Sequence, residues 1–299
     1  MINLSLKHWL VAVLALGLSA SVMANDEVRK LNANPNYWAY PGGDYNNWRY
    51  TELNQINTKN ANNLVTAWTF STGRLQGHEG GPLVLPSSAT GLPGDTLYIH
   101  SSLTGKVNWT AENGRDIGYG PKAGNTATMA PHPMKDKVIV GSSGAEFGVR
   151  AWIAALNAKD GSLAWRGFSV GPDEDILFDA NTTSLGKKVG PNSSLNSWCA
   201  DSDWKAPATG PSKCKKLGDQ WKQGGGSVWG GPSADFEENL LYYGSANPST
   251  WNPVVRPGDN KWAMSLFARD IDTGIARWVY QMTPHDEWDY DGVNEMILA

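Results

Sequence analysis

The stretch Trp152-Ile-Ala-Ala-Leu156-Asn-Ala-Lys-Asp160-Gly161-Ser-Leu-Ala-Trp165 sets the pattern of the whole chain. It is an apolar, β-rich run, then a polar turn centred on glycine, then a tryptophan four residues after that glycine. The run Lys137-Val-Ile-Val140 precedes it. The same phrase occurs upstream as Thr96-Leu-Tyr-Ile-His100 followed by Thr104-Gly105-Lys-Val-Asn-Trp109. It occurs downstream as Leu240-Leu-Tyr-Tyr243 and Met264-Ser-Leu-Phe267 followed by Thr273-Gly274-Ile-Ala-Arg-Trp278. Asp-Gly and Thr-Gly between β-rich runs are tight-turn signals, and a tryptophan at a fixed offset from each turn can dock one sheet onto the next. Three copies of one unit predict an all-β chain. A radial stack of four-stranded sheets, a β-propeller, fits the rhythm best, and a β-sandwich with regular hairpins is the alternative.

Composition supports a globular chain rich in turns. Of 299 residues, 40% are hydrophobic and 18% charged, and 33 Gly, 17 Pro and 15 Trp favour short strands, tight corners and large aromatic anchors over helices. The net charge is −4 and no Lys/Arg block occurs, so the electrostatic footprint of a nucleic-acid binder is missing. No Gly-x-Gly-x-x-Gly follows a strand and opens a helix, which argues against a nucleotide cofactor.

Residues 1–24 read as a secretory signal peptide: Lys7, an apolar run from Trp9 to Leu18, and a small-residue exit from Ser19 to Ala24, with cleavage before Asn25. The run is too short for a membrane span. Residues 25–299 then form the exported, periplasmic part, opening on an aromatic, loop-like lead-in. Export permits a disulfide between Cys199 and Cys214 across a Pro/Gly/Lys-containing loop, worth roughly 3 kcal/mol by loop-closure entropy. Two free thiols are the alternative.

The polar islands between the repeats point to chemistry. Thr283-Pro-His-Asp-Glu-Trp-Asp-Tyr-Asp-Gly-Val-Asn294 packs Asp286, Glu287, Asp289 and Asp291 into six residues. Such a run is costly to enclose unless a cation or a proton-transfer role compensates the carboxylates, and a solvated acidic turn is the plain alternative. Upstream, Gly77-His-Glu79-Gly-Gly-Pro82 and Gly141-Ser-Ser143-Gly144-Ala145-Glu146-Phe-Gly148 each place a carboxylate at a glycine-rich bend. Gly224-Gly-Gly-Ser227-Val-Trp229-Gly-Gly231 offers exposed backbone N–H groups beside a flat indole, and Gly244-Ser-Ala-Asn247-Pro-Ser-Thr-Trp251 presents an amide oxygen. Singly, each is also a hairpin corner.

As a set, these motifs together with Arg256-Pro-Gly-Asp-Asn-Lys-Trp262 resemble the large subunit of the methanol dehydrogenases that depend on pyrroloquinoline quinone (PQQ), quinoprotein alcohol dehydrogenases with an eight-bladed propeller. The resemblance runs from about Asp26 to Ala299. It implies oxidation of methanol or another primary alcohol with PQQ as hydride acceptor and a periplasmic c-type cytochrome as electron acceptor. Neither a homodimer nor a monomer is fixed by it. It implies that Glu146, Asn247 and Asp289 hold a metal ion, with Asp289 also the catalytic base. Trp229 would stack on the PQQ plane, and Glu79, Thr128, Ser143, Gly144, Ala145 and Ser227 would contact the cofactor. Asp291 is an added carboxylate that resembles the lanthanide-dependent type, whereas the calcium-dependent type has a small residue there. Three negative charges suit a trivalent ion better than Ca²⁺.

Two features depart from the family pattern. A segment of about one blade, with a vicinal Cys-Cys pair and a cofactor-contacting arginine, is expected between the positions of Ser102 and Thr104 and is missing. The sequence also stops at Ala299, about halfway through the pattern. These departures lead to the expectation of a partial propeller, inactive by itself. The alternative reading is an inactive remnant or an exported, propeller-like scaffold that binds proteins.

Overall fold

The computed structural model describes residues 23–66, 83–85, 96–98, 128–198 and 220–299. The expected signal peptide through residue 22, the repeat copy Thr104–Trp109, the Ser102 junction, Glu79 and both cysteines lie outside the described residues. The chain enters through an α-helix, α1 (Met23–Asn32), where a loop-like lead-in was expected. Asp26 in its first turn and Arg29 and Lys30 in its last complement the helix dipole, and Val28 packs on the core. A single helix of under three turns is too short for its period to stand out in a sequence dominated by turns.

Two antiparallel meanders follow. β3 (His132–Met134), β4 (Lys137–Gly141), β5 (Trp152–Asn157) and β6 (Leu163–Phe168) form a four-stranded sheet in chain order. β9 (Ser233–Asp235), β10 (Leu240–Gly244), β11 (Ser265–Asp270) and β12 (Ala276–Gln281) form a second, and a small hairpin, β7 (Thr183–Ser184) with β8 (Lys187–Lys188), extends it by pairing parallel to β12. A two-stranded pair, β1 (Leu83–Leu85) and β2 (Thr96–Tyr98), lies upstream. The alternation of β5 shows how these sheets stack. Ile153 and Ala155 face a core shared with Leu241, Tyr243, Phe267 and Val279 of the second sheet. Trp152, Ala154 and Leu156, on the opposite face by the period-two rule, belong to a separate cluster with Phe168. A sheet buried on both faces is the condition of a blade inside a stack, not of one leaf of a two-layer sandwich.

Of the repeated tryptophans, Trp165 takes part in the contact between the sheets. Trp165 on β6 donates its indole N–H to the Ile271 carbonyl at 2.8 Å, at the turn between β11 and β12. Gly274 in that turn lies against the ring, where a Cβ would stand 2.5 Å from Trp165 Cδ2. Trp278, at the equivalent offset, packs near Tyr242 of its own sheet at 6.0 Å between centroids.

One buried titratable group sits in the core rather than the site. His132 on β3 is 2% exposed, with Nδ1 2.7 Å from the Tyr40 hydroxyl, and burial lowers its pKa to about 4. Between the ordinary His value and about 4, the unfolded chain binds a proton that the folded chain excludes. Stability is therefore expected to fall as pH drops through this window, by on the order of 3 kcal/mol in all. Urea-unfolding midpoints measured across that range check this. His132→Gln should show a flatter profile than the parent, and an identical slope in the two proteins contradicts the assignment.

Candidate active site

The site residues sit where the inner ends of the two sheets meet. Past β4 the chain makes a 3-10 turn, Ala145–Phe147, flanked by Gly144 (φ 99°) and Gly148 (φ 83°), both in the left-handed region that glycine occupies without a Cβ penalty. The turn projects Glu146 to the surface and leaves Ser143, Gly144 and Ala145 buried. Ser143 Oγ lies 2.8 Å from Thr128 Oγ1, and the Ala145 amide donates to Ser227 Oγ at 3.1 Å. Four of the expected cofactor-contacting residues are thus joined in two hydrogen-bonded pairs. Trp229 lies two residues beyond Ser227 and is 38% exposed.

The glycine-rich segment 224–228 differs from expectation. Three of its amides, those of Gly225, Gly226 and Val228, are taken up in links to the segments around both sheets. Gly225 N donates to Val149 O at 3.0 Å, Gly226 N to Asn247 O at 2.9 Å and Val228 N to Ser142 O at 2.8 Å. Gly224 N donates to Trp221 O, and residues 224–228 are buried. Buried amides must find partners, and here neighbouring backbone supplies them. The segment therefore fixes the spacing between the Glu146 turn and the Asn247 loop. Asn247 is 8% exposed; its Nδ2 donates to Pro248 O at 3.4 Å, and no hydrogen bond from a described residue reaches Oδ1.

After β12 the chain enters the acidic loop. Its far end is drawn against the second sheet by two close approaches that only glycine allows. A Cβ on Gly244 would lie 1.8 Å from Gly292 O, and one on Gly230 would lie 1.9 Å from Val293 O. This seats Asp291 beside the segment that carries Asn247. Asp289 (φ 59°) and Asp291 (φ 51°) both adopt left-handed backbone conformations.

Asp291 reports what surrounds it. Burial, reinforced by the negative charges of Asp289, Glu146 and Asp286, holds its carboxyl above the ordinary aspartate range. Among the described residues, the charges that raise it are all carboxylates, so the fold has brought acids from residues 146 and 289–291 into one electrostatic neighbourhood. They are in range of one another but not in a ligating cluster: among the described residues no three His, Cys, Asp or Glu side chains are gathered closely enough to hold an ion. The donor chemistry, carboxylate and amide oxygens around an uncompensated negative centre, fits a hard cation of high coordination number.

Asp286 plays a different part from the one its place in the acidic run suggests. It is 1% exposed, and its Oδ1 and Oδ2 accept the Trp288 and Tyr290 amides at 3.1 and 3.2 Å. Backbone amides compensate this carboxylate, and it folds the loop that carries Asp289. Arg256, 2% exposed and bound to the Asp286 carbonyl through Nη2, is the residue that reading the sequence did not single out. Its signal was a lone arginine in a Pro/Gly/Trp-rich loop, which needs acceptors wherever it is buried.

Comparison with known proteins agrees with this architecture. The family described as "PQQ: Glucose/ethanol/alcohol dehydrogenase, beta-propeller domain" matches residues 38–119 and 201–299. A lanthanide-dependent methanol dehydrogenase of Methylorubrum extorquens is 42% identical over 347 residues, covering 98% of this chain and 54% of that protein. A methanol dehydrogenase [cytochrome c] subunit 1 of Paracoccus denitrificans is 37% identical, covering 97% of this chain and 53% of its own length. Among solved structures, a europium-containing methanol dehydrogenase superposes with a TM-score of 0.69 at 38% identity, over 92% of this chain and 54% of that one. The chain spans about half the length of the curated relatives it matches. The aligned span of 347 also exceeds the chain's own 299 residues, so the Methylorubrum relative carries at least 48 positions (347 less 299) without counterpart here.

Proposed function

The chain belongs to the β-propeller family of PQQ-dependent glucose, ethanol and alcohol dehydrogenases, and from that premise we propose that it serves the oxidation of methanol or another small primary alcohol to the aldehyde in the periplasm, as part of an eight-bladed propeller that passes electrons to a c-type cytochrome. The observation that supports the reading is that Asp291 feels the negative charges of Asp289 and of Glu146, which stands on a loop of the other sheet.

Glu146, Asn247, Asp289 and Asp291 would hold a lanthanide ion, with Ca²⁺ the alternative. Glu79, Thr128, Ser143, Gly144, Ala145 and Ser227 would line the PQQ site, and Trp229 would lie against the ring plane. When bound, PQQ supplies the acceptor for the hydride of the alcohol carbon, and the ion supplies the Lewis acidity that favours its transfer. Asp289, exposed at the tip of the acidic loop, takes the hydroxyl proton of the alcohol onto its carboxylate. Asp291 adds the third negative charge, which favours a trivalent ion over Ca²⁺ on electrostatic grounds.

Reconstitution tests this directly. The protein is incubated with PQQ and either La³⁺ or Ca²⁺, ion binding is followed by calorimetry, and methanol oxidation by reduction of an artificial dye. Tighter binding and higher activity with La³⁺ are expected. Higher activity with Ca²⁺ would sink the lanthanide assignment. Absence of PQQ and ion binding altogether, with specific capture of a protein partner, would favour the scaffold reading instead.

A further inference from the structure

The two limbs of the candidate metal site, the Asn247 loop that follows β10 and the Asp289/Asp291 loop that follows β12, leave the same end of the antiparallel meander, and one buried side chain touches the base of both. The Arg256 guanidinium donates through Nε to Thr250 O at 2.5 Å, three residues past Asn247. Through Nη2 it donates to Asp286 O at 2.5 Å, three residues before Asp289. Its third edge, Nη1, donates to Asn260 Oδ1 at 2.7 Å, and Asn260 Nδ2 returns to the Arg256 carbonyl at 2.8 Å. Both side chains are buried, at 2% and 0% exposure. The surrounding backbone is tied down as well: His285 N donates to Asp259 O at 3.0 Å, and Gln281 Nε2 donates to the same carbonyl at 2.8 Å.

We infer that Arg256 is a positioning residue, a clasp that sets the distance between the Asn247 and Asp289/Asp291 limbs so that both can reach one ion. A guanidinium suits this task because its planar fork fixes three acceptors in one plane at once, which an ammonium on a flexible stem cannot do. Asp286 passes the constraint on, since its carboxylate receives the amides of Trp288 and Tyr290, the residues on either side of Asp289. Outer partners that orient metal ligands typically govern affinity by about 10- to 100-fold. The inference rests on the metal-site reading proposed above and goes beyond it by assigning a residue that would touch neither metal nor cofactor.

The experiment compares the parent protein with Arg256→Lys, using La³⁺ titration calorimetry and Eu³⁺ luminescence lifetimes in H₂O and D₂O, which count waters on the bound ion. Arg256→Lys is expected to fold, to bind La³⁺ about 10- to 100-fold more weakly, and to show additional water on Eu³⁺ where a protein oxygen has withdrawn. A merely structural arginine would change the melting point without changing the hydration of the bound ion. Unchanged La³⁺ affinity and an unchanged water count in a folded Arg256→Lys protein would overturn the inference while leaving the metal site in place. A parent protein that binds neither ion would overturn both. If Arg256→Lys does not fold, Asn260→Ala carries the same comparison, because it releases only one edge of the guanidinium.

Discussion

In the eight-bladed propeller of which this chain is proposed to be part, replacing Asp289 by Asn is expected to lower alcohol-dependent dye reduction by roughly a thousandfold, within the range by which a positioned general base accelerates proton transfer. The substitution is nearly isosteric. Asp289 is exposed, and its φ of 59° lies in the left-handed region that asparagine enters more readily than most residues. The fold of the acidic loop should therefore persist, held by Asp286 and Arg256, neither of which is altered. What changes is the chemistry at one position. The amide cannot accept the hydroxyl proton, and one of three negative charges around the proposed ion is lost. PQQ binding, followed by quenching of tryptophan fluorescence, should be nearly unchanged, because the residues proposed to line the cofactor lie on other loops. A rate near that of the parent, with the ion bound, would remove Asp289 from the role of base.

The second large effect is on stability and falls between the sheets. Arg269 on β11 is fully buried. Its Nε donates to the Tyr243 hydroxyl at 2.7 Å, and its Nη1 donates to Ile176 O at 2.7 Å and Gly274 O at 2.8 Å. The guanidinium also lies 4.8 Å from the Phe267 ring centroid and rests against Gly167, where a Cβ would come within 2.9 Å of its Cζ. One side chain thus joins the end of the first sheet to the turn of the second. Arg269→Met fills much of the volume but leaves the Ile176 and Gly274 carbonyls and the Tyr243 hydroxyl without this donor and loses a longer bond to Phe168 O at 3.5 Å. At about 1–3 kcal/mol for each buried polar group left unpaired, less what Met regains by packing, the expected loss is about 3–5 kcal/mol. Urea unfolding of the two proteins measures it. A shift below about 1 kcal/mol would mean that water or relaxation supplies the missing partners.

These predictions rest on different kinds of legibility. The strand runs, their turns and the repeat could be read from the chain because period-two burial and Gly-centred turns are local properties. The family resemblance read from the site motifs agrees with the comparisons. The proposed site could be named in the sequence only as a set of residue types. Its wiring was not. The amides of Gly225, Gly226 and Val228 looked available and are consumed in joining two sheets, because a glycine-rich segment has the same sequence whether its backbone meets a ligand or another strand. Asp286 looked like one more site carboxylate, yet it is an internal cap, since four acids in six residues carry no mark of which one turns inward. Arg256 stood in a family motif without a role of its own for the same reason.

By itself, the sequence determined the strand rhythm, the oxygen-rich donor set and the family, all of which depend on residue identity and short-range spacing. The tertiary structure alone decided that Glu146 and Asp291, far apart in the chain, share one electrostatic neighbourhood, and that Asp286 and Arg256 face inward to hold the loop while Asp289 faces outward. Charge and hydrogen bonding act through space. Their partners are fixed only when close approaches such as Gly244 against Gly292 bring distant segments together.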